Sequence, residues 1–211
     1  MANVDIAHFD MGKVLELFTL CCSEDDSLNL DAYIDAYGEV CKLFKILGSV
    51  FSFVLSDVVE KVGILKDYRK SETAENYVTI QSMIEYEVEN NLTNQKHNAS
   101  GSRTLLRLHR ALEFLLDFKQ KIKEADTDSK LGHICRESYD RTIGKFHPWL
   151  IRKAVHVAVY TLPKRHVFLE KINIHNEEDV EDVFVKVVEI ERKIYDITQN
   201  LYAQHSLLDL P

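Results

Sequence analysis

Arg103-Thr-Leu-Leu-Arg107-Leu-His-Arg110-Ala-Leu112-Glu-Phe-Leu115-Leu116-Asp-Phe118-Lys-Gln-Lys-Ile-Lys123 carries the strongest structural signal in the chain. Leu105, Leu106, Leu108, Leu112, Leu115, Leu116 and Phe118 recur at helical spacing, which predicts one long amphipathic helix with an inward apolar face. Residues four apart share a face, so the guanidinium groups of Arg103 and Arg107 can converge on one anion. A guanidinium offers a planar fork of donors that matches phosphate oxygens. An arginine pair on a helix is also commonly a solvated face or an ion-pair network, and that plainer reading stays open here.

Outward from this helix the chain reads as helices joined by short breaks. Phe9 to Cys22 and Asp31 to Leu47 come first, then Ser49 to Arg69, which is apolar on more than one face through Phe51, Phe53, Val54, Leu55, Val58, Val59, Val62 and Leu65. A helix apolar nearly all round is buried or lines a cavity. Thr73 to Asn91 follows, then the polar loop Gln95 to Ser102. Beyond Lys123 come Ser129 to Lys145, Pro148 to Tyr160 and a last long helix from the Asn176 cap to about Gln204. Pro148 and Pro163 suit first helical positions. With 7 Gly and 3 Pro in 211 residues, turn punctuation is scarce, and no alternating strand pattern or repeat is found. The expectation is an all-α protein of about eight helices, one domain over residues 1–211.

Composition excludes several classes. A formal charge of −8 argues against a nucleic-acid binder, and docking on an acidic membrane would need a local basic patch. Met1 to His8 lacks the basic start and apolar run of a secretory signal. The stretch Ile46 to Val59 is interrupted by Gly48, Ser49, Ser52, Ser56 and Asp57, short of the roughly 18 to 20 apolar residues of a spanning helix. Cys21, Cys22, Cys41 and Cys135 lack metal-ligand spacing, and His133-Ile-Cys135 is too sparse for a metal site. These features fit a soluble cytosolic chain with free thiols, needing no metal and no cofactor.

Two further polar elements accompany the arginines. Asp57 and Lys61 stand at i, i+4, most simply a helix-stabilising pair, yet inside the most apolar helix, where charge needs compensation. His147 precedes Pro148 and Trp149, and can be read as a core histidine or as a ligand. Trp149 with Arg152 and Lys153 suits either core packing or a membrane interface. If these pieces meet, they form a polar patch able to hold a phosphate and an amide beside apolar walls.

Four strings carry a family resemblance: Phe51-Ser-Phe-Val-Leu-Ser-Asp57-Val-Val-Glu-Lys61, Arg103-Thr-Leu-Leu-Arg107-Leu-His-Arg-Ala-Leu, Phe146-His147-Pro148-Trp149 and Leu201-Tyr-Ala-Gln-His-Ser-Leu-Leu-Asp-Leu-Pro211. In order and spacing across nearly the whole chain, they resemble the glycolipid transfer protein superfamily. The resemblance implies a two-layer helical sandwich enclosing one sphingolipid and moving it between membranes without chemical change. By position it implies that Asp57 and His147 engage the amide and hydroxyl region, and that Lys61, Arg103 and Arg107 grip a phosphate. Phe53, Val54, Val58 and Leu112 would help line the chain pocket. In sugar-binding members a tryptophan stands where Arg107 is and an asparagine where Lys61 is, so the implied cargo is ceramide-1-phosphate or a related phosphosphingolipid. Trp149, Arg152 and Lys153 would face the membrane. The implied protein is a cytosolic monomer with reversible contact at membranes such as Golgi and plasma membrane.

The physics is consistent with that expectation. A sphingolipid crossing water exposes on the order of 30 methylenes at about 0.8 kcal/mol each, roughly 24 kcal/mol, a barrier that an apolar shell removes. Rival readings are an enzyme using Asp57, His147 and Lys61 as acid and base, a helical scaffold for a protein partner, a lipid sensor, or a carrier of another phospholipid. The enzyme reading lacks a Gly-x-Ser-x-Gly elbow, a P-loop or a metal-binding histidine pair.

Overall fold

The computed structural model describes residues 9–95 and 99–211. Among these residues it is all-helical, with no strand. The α-helices are α1 (Met11–Cys21), α2 (Leu30–Leu47), α3 (Ser52–Tyr68), α4 (Ile80–Glu89), α5 (Gly101–Glu124), α6 (Leu131–Arg141), α7 (Trp149–Ala158), α8 (Arg165–Lys171) and α9 (Glu177–Gln204). Helices α1, α2, α3, α5 and α9 pack in a closed circuit, each against the next, with α4 and α6 on the flanks of α5.

Local chemistry sets the helix ends. Asp10 caps α1 by accepting from the amides of Gly12 and Lys13, and Asn29 caps α2 through Ala32. Thr79 and Ser82 form a reciprocal capping box at α4. Asn176 caps α9, whose first turn carries Glu177, Glu178 and Asp179, the acid placement that the helix dipole favours. At the end of α2, Gly48 takes φ 106°, a conformation that L side chains rarely adopt.

Several expected boundaries move. The helix expected over Ser49 to Arg69 starts with a 3-10 turn at Ser49–Phe51. The one expected from Thr73 is a 3-10 turn at Ala74–Tyr77, then α4. Ser129 to Lys145 divides into α6 and a 3-10 turn at Ile143–Phe146, because Thr142 leaves the helical region at φ −113°, ψ −100°. Pro148 is the N-cap of α7, one residue outside the helix, and Pro163 lies two residues before α8. The polar loop is shorter than expected, since Gly101 and Ser102 already belong to α5, while its residues 96–98 and the N-terminal residues 1–8 lie outside the described residues.

The apolar face of α5 is buried through Leu105, Leu106, Leu108, Leu112 and Leu116, all 2% exposed or less. It meets Phe184, Val187, Ile194 and Tyr202 of α9 within one continuous core. That core also holds an ion pair: the Lys119 ammonium donates to both Glu191 oxygens at 2.5 and 2.7 Å, joining α5 to α9. Such a pair ties two helices together, and removal of either partner strands a charge in apolar surroundings. All four cysteines are free thiols.

Helix α3 departs from expectation. Its buried side is narrow, comprising Val58, Lys61, Val62 and Leu65. Phe53, Val54 and Leu55 are only partly buried and Val59 is 51% exposed, so the helix lies against the core and is not enclosed by it.

Candidate functional site

Helices α3 and α5 pack side by side and bring the separated motifs together. Between them lies a cleft of about 150 Å³ lined by Glu60, Lys61, Ile64, Ala99, Arg103, Thr104 and Arg107. Three cations thus border one small space, two from adjacent turns of α5 and one from α3.

Each cation is held differently. Lys61 is 7% exposed, and its ammonium donates to Asp57 Oδ1 at 2.9 Å and lies 3.3 Å from Glu60 Oε2. The charge inside the apolar helix is therefore compensated from its own helix surface. Arg103 donates from Nε to the Pro211 oxygen at 2.8 Å, which pins one edge of the fork. Arg107 is exposed, with no hydrogen bond or ion pair among the described residues. Arg110 is drawn away from the cleft: its guanidinium lies 3.9 Å from the centre of the Phe146 ring and donates to the Leu208 carbonyl at 2.7 Å.

His147 approaches from the turn before α7. It is half-buried, and its Nδ1 is 2.8 Å from the Tyr139 hydroxyl, so the partner is a side chain and not a backbone carbonyl. Burial lowers its pKa from the usual histidine value, the Asp57 carboxylate opposes this, and Arg107 adds to it. Those two influences place His147 in the field of the same charged cluster. Burial thus disfavours the charged ring, and one ring nitrogen is committed to Tyr139.

The N-terminus of α5 is built by residues with no sequence signature. Glu87 of α4 is fully buried and accepts from the amides of Gly101 and Ser102 at 2.7 and 2.8 Å and from the Tyr77 hydroxyl at 3.2 Å. Ser100 caps Arg103 at 3.0 Å. A Cβ on Gly101 would stand 2.5 Å from Met83 Sδ, so any larger residue here forces the Met83 side chain to move. Glu87, Thr104 and Tyr139 were not singled out by sequence. Of these, only Thr104 lies inside the arginine motif.

The apolar candidates do not border the cleft. Leu112 is fully buried in the core and Val58 nearly so, while Phe53 and Val54 are partly buried on α3. A cleft of about 150 Å³ accommodates a headgroup, whereas small-molecule pockets run to about 300–1,000 Å³. Helix α7 carries an exposed apolar patch: Trp149 and Leu150 are 69% and 70% exposed, and Val157, two turns on from Leu150, is 69% exposed. Arg152 and Lys153 are exposed on the same helix. Trp149 is therefore not core. Among the described residues no helix is long and apolar enough to cross a membrane. His133 is exposed and Cys135 buried, so they face apart.

A cationic cleft between two helices of an all-helical protein, together with an exposed apolar patch on α7, defines the class as a lipid-binding helical protein. Residues 28–174 match the family Glycolipid transfer protein (GLTP), and the chain belongs to it. A ceramide-1-phosphate transfer protein of Danio rerio is 40% identical, the match covering 96% of this chain and 98% of the relative. The Homo sapiens protein of that name is 37% identical over 96% and 97% of the two chains. The all-helical fold is likewise found in solved structures. The apo form of mouse ceramide-1-phosphate transfer protein has a TM-score of 0.91 at 40% identity, covering 96% of this chain and 100% of that one. The human protein in complex with 2:0 ceramide-1-phosphate also has a TM-score of 0.91, at 36% identity over 97% and 100%.

Proposed function

We propose that this protein binds ceramide-1-phosphate and related phosphosphingolipids and transfers them between membranes, without chemical change to the lipid. The observation that carries this reading is the shared cleft of Lys61, Arg103 and Arg107, with Arg107 exposed and unpaired among the described residues. A phosphate monoester in that cleft receives charge-assisted bonds from all three cations. A neutral sugar offers them no matching charge. Asp57 accepts from the amide and hydroxyl donors of the ceramide, and His147 supplies its remaining nitrogen to the same region. The relatives' names and the complex of the human protein with 2:0 ceramide-1-phosphate support the same cargo.

The hydrocarbon chains need more room than the cleft provides, so they enter by parting α3 from the core, beside the partly buried Phe53 and Val54. Phe53, Val54 and Val58 then line one wall and Leu112 the other. Trp149, Arg152 and Lys153 meet the bilayer: the aromatic sits at the headgroup level and the cations favour anionic lipid. The chain acts as a single-domain cytosolic monomer, associating reversibly with membranes such as Golgi and plasma membrane.

Native mass spectrometry against a panel of ceramide-1-phosphate, ceramide, glucosylceramide and phosphatidic acid tests the reading. A one-to-one complex with ceramide-1-phosphate and weak retention of glucosylceramide are expected. Preference for glucosylceramide, or retention of no lipid, overturns it.

A further inference from the structure

Thr104 stands inside the cleft without a role in the cationic clamp. Its side chain is 1% exposed, yet its hydroxyl has no hydrogen-bond partner. Its backbone amide is satisfied by the Ser100 carbonyl at 3.0 Å, so the helix itself is intact there. A buried hydroxyl without a partner is unfavourable, and native proteins seldom leave one without reason. Other buried hydroxyls share that state among the described residues, namely Ser102, Ser138, Thr198 and Tyr33, but none of them lines the cleft. Thr104 does, one residue after Arg103 and three before Arg107, in the α5 wall of the cleft to which α3 contributes Lys61 and Ile64.

We propose that Thr104 is a headgroup ligand: its hydroxyl donates to an oxygen of the bound phosphate, filling with an uncharged bond the position between the arginines and Lys61. This inference rests on the reading of the cleft as a phosphosphingolipid site and deepens it. A hydroxyl donor discriminates where charge does not. The clamp attracts any anion, whereas a short-range donor at the cleft wall rewards a phosphate seated to full depth, as a monoester can be and a bulkier phosphodiester cannot. Phosphatidic acid, a two-chain glycerolipid monoester, shares this chemistry with the sphingolipid, and the lipid panel separates them.

The test compares wild type, Thr104→Val, Thr104→Ser and Arg107→Leu for binding to vesicles containing ceramide-1-phosphate, with plain ceramide vesicles in parallel, and follows thermal unfolding of each unliganded protein. Valine keeps the shape and removes the hydroxyl. The expected result is about tenfold to a hundredfold weaker ceramide-1-phosphate binding by Thr104→Val, the range for a lost bond to a charged group. Its ceramide binding stays unchanged, its melting temperature is equal or higher, and Thr104→Ser binds like wild type. Equal binding by Thr104→Val and wild type overturns the inference. So does a parallel loss for both lipids with a lower melting temperature, which marks the hydroxyl as structural. If Thr104→Val does not fold, Thr104→Ala, which also lacks the hydroxyl, decides: a loss confined to ceramide-1-phosphate supports the role and wild-type phosphate selectivity overturns it. When wild type and Arg107→Leu differ as expected, failure of Thr104→Val condemns this inference alone. Failure of wild type to hold ceramide-1-phosphate condemns both.

Discussion

Arg107→Leu separates binding from folding more cleanly than any other change at the site. The side chain is exposed and unpaired among the described residues, so its loss breaks no native bond. Surface changes of that kind shift stability by about 0.5 kcal/mol or less. On the proposed binding mode the guanidinium makes a bidentate contact with phosphate, and a hydrogen bond to a charged group is worth about 1.5–3 kcal/mol. Removal of a two-bond fork therefore weakens headgroup binding by about 3 kcal/mol, a factor above a hundred at about 1.4 kcal/mol per tenfold. Lys61 and Arg103 remain and keep residual affinity, but transfer at low lipid occupancy falls to near background. The assay follows fluorescent ceramide-1-phosphate moving from donor to acceptor vesicles, with circular dichroism and thermal melting as the fold control. A folded Arg107→Leu protein that transfers at the wild-type rate refutes the clamp.

Three further outcomes follow from the geometry. Trp149→Ala, with a side chain 69% exposed, leaves the melting temperature unchanged but lowers vesicle partitioning by about tenfold, in line with roughly 25 cal/mol per Å² of apolar area removed from the bilayer. Unchanged sedimentation with vesicles contradicts it. Lys119→Met strands the Glu191 carboxylate, already pushed up in pKa by burial, and costs about 3–5 kcal/mol in denaturant unfolding, whereas the double variant Lys119→Met, Glu191→Leu recovers most of it. His109 is 2% exposed, and burial lowers its pKa from 6.5 to about 4, with the Gln199 bond opposing and Arg110 adding. The unfolded chain binds that proton first, so the stabilisation is complete above pH 6.5 and is lost as pH falls towards 4. That loss amounts to about 3 kcal/mol, and His109→Gln should flatten the profile of unfolding free energy over this window.

Sequence legibility tracked how local the determining chemistry is. The span of α9 could be read from Asn176 to Gln204 because its cap, first-turn acids and apolar period all lie within the helix. The α5 face was legible for the same reason, and the Asp57–Lys61 pair closed as its spacing implies. The 3-10 turns at Ser49–Phe51 and Ala74–Tyr77 carry no glycine or proline and continue the apolar period of their neighbours, so they read as helix. Glu87 was invisible because its partners, the amides of Gly101 and Ser102, lie 14 and 15 residues away on the next helix. The hold of Leu208 and Pro211 on Arg110 and Arg103 spans 98 and 108 residues, beyond any local pattern. Trp149 could be read as core or interface until the fold placed it outside.

Glu87 and Ser100 between them occupy the amides at the start of α5, where many proteins would seat an anion on the main chain. On the proposed reading, guest recognition is delegated to removable side chains standing on a frozen scaffold. A new headgroup class could be acquired by exchanging a few rotamers, with the backbone as bystander. Diversification of cargo under one unchanging architecture is what such a division of labour permits.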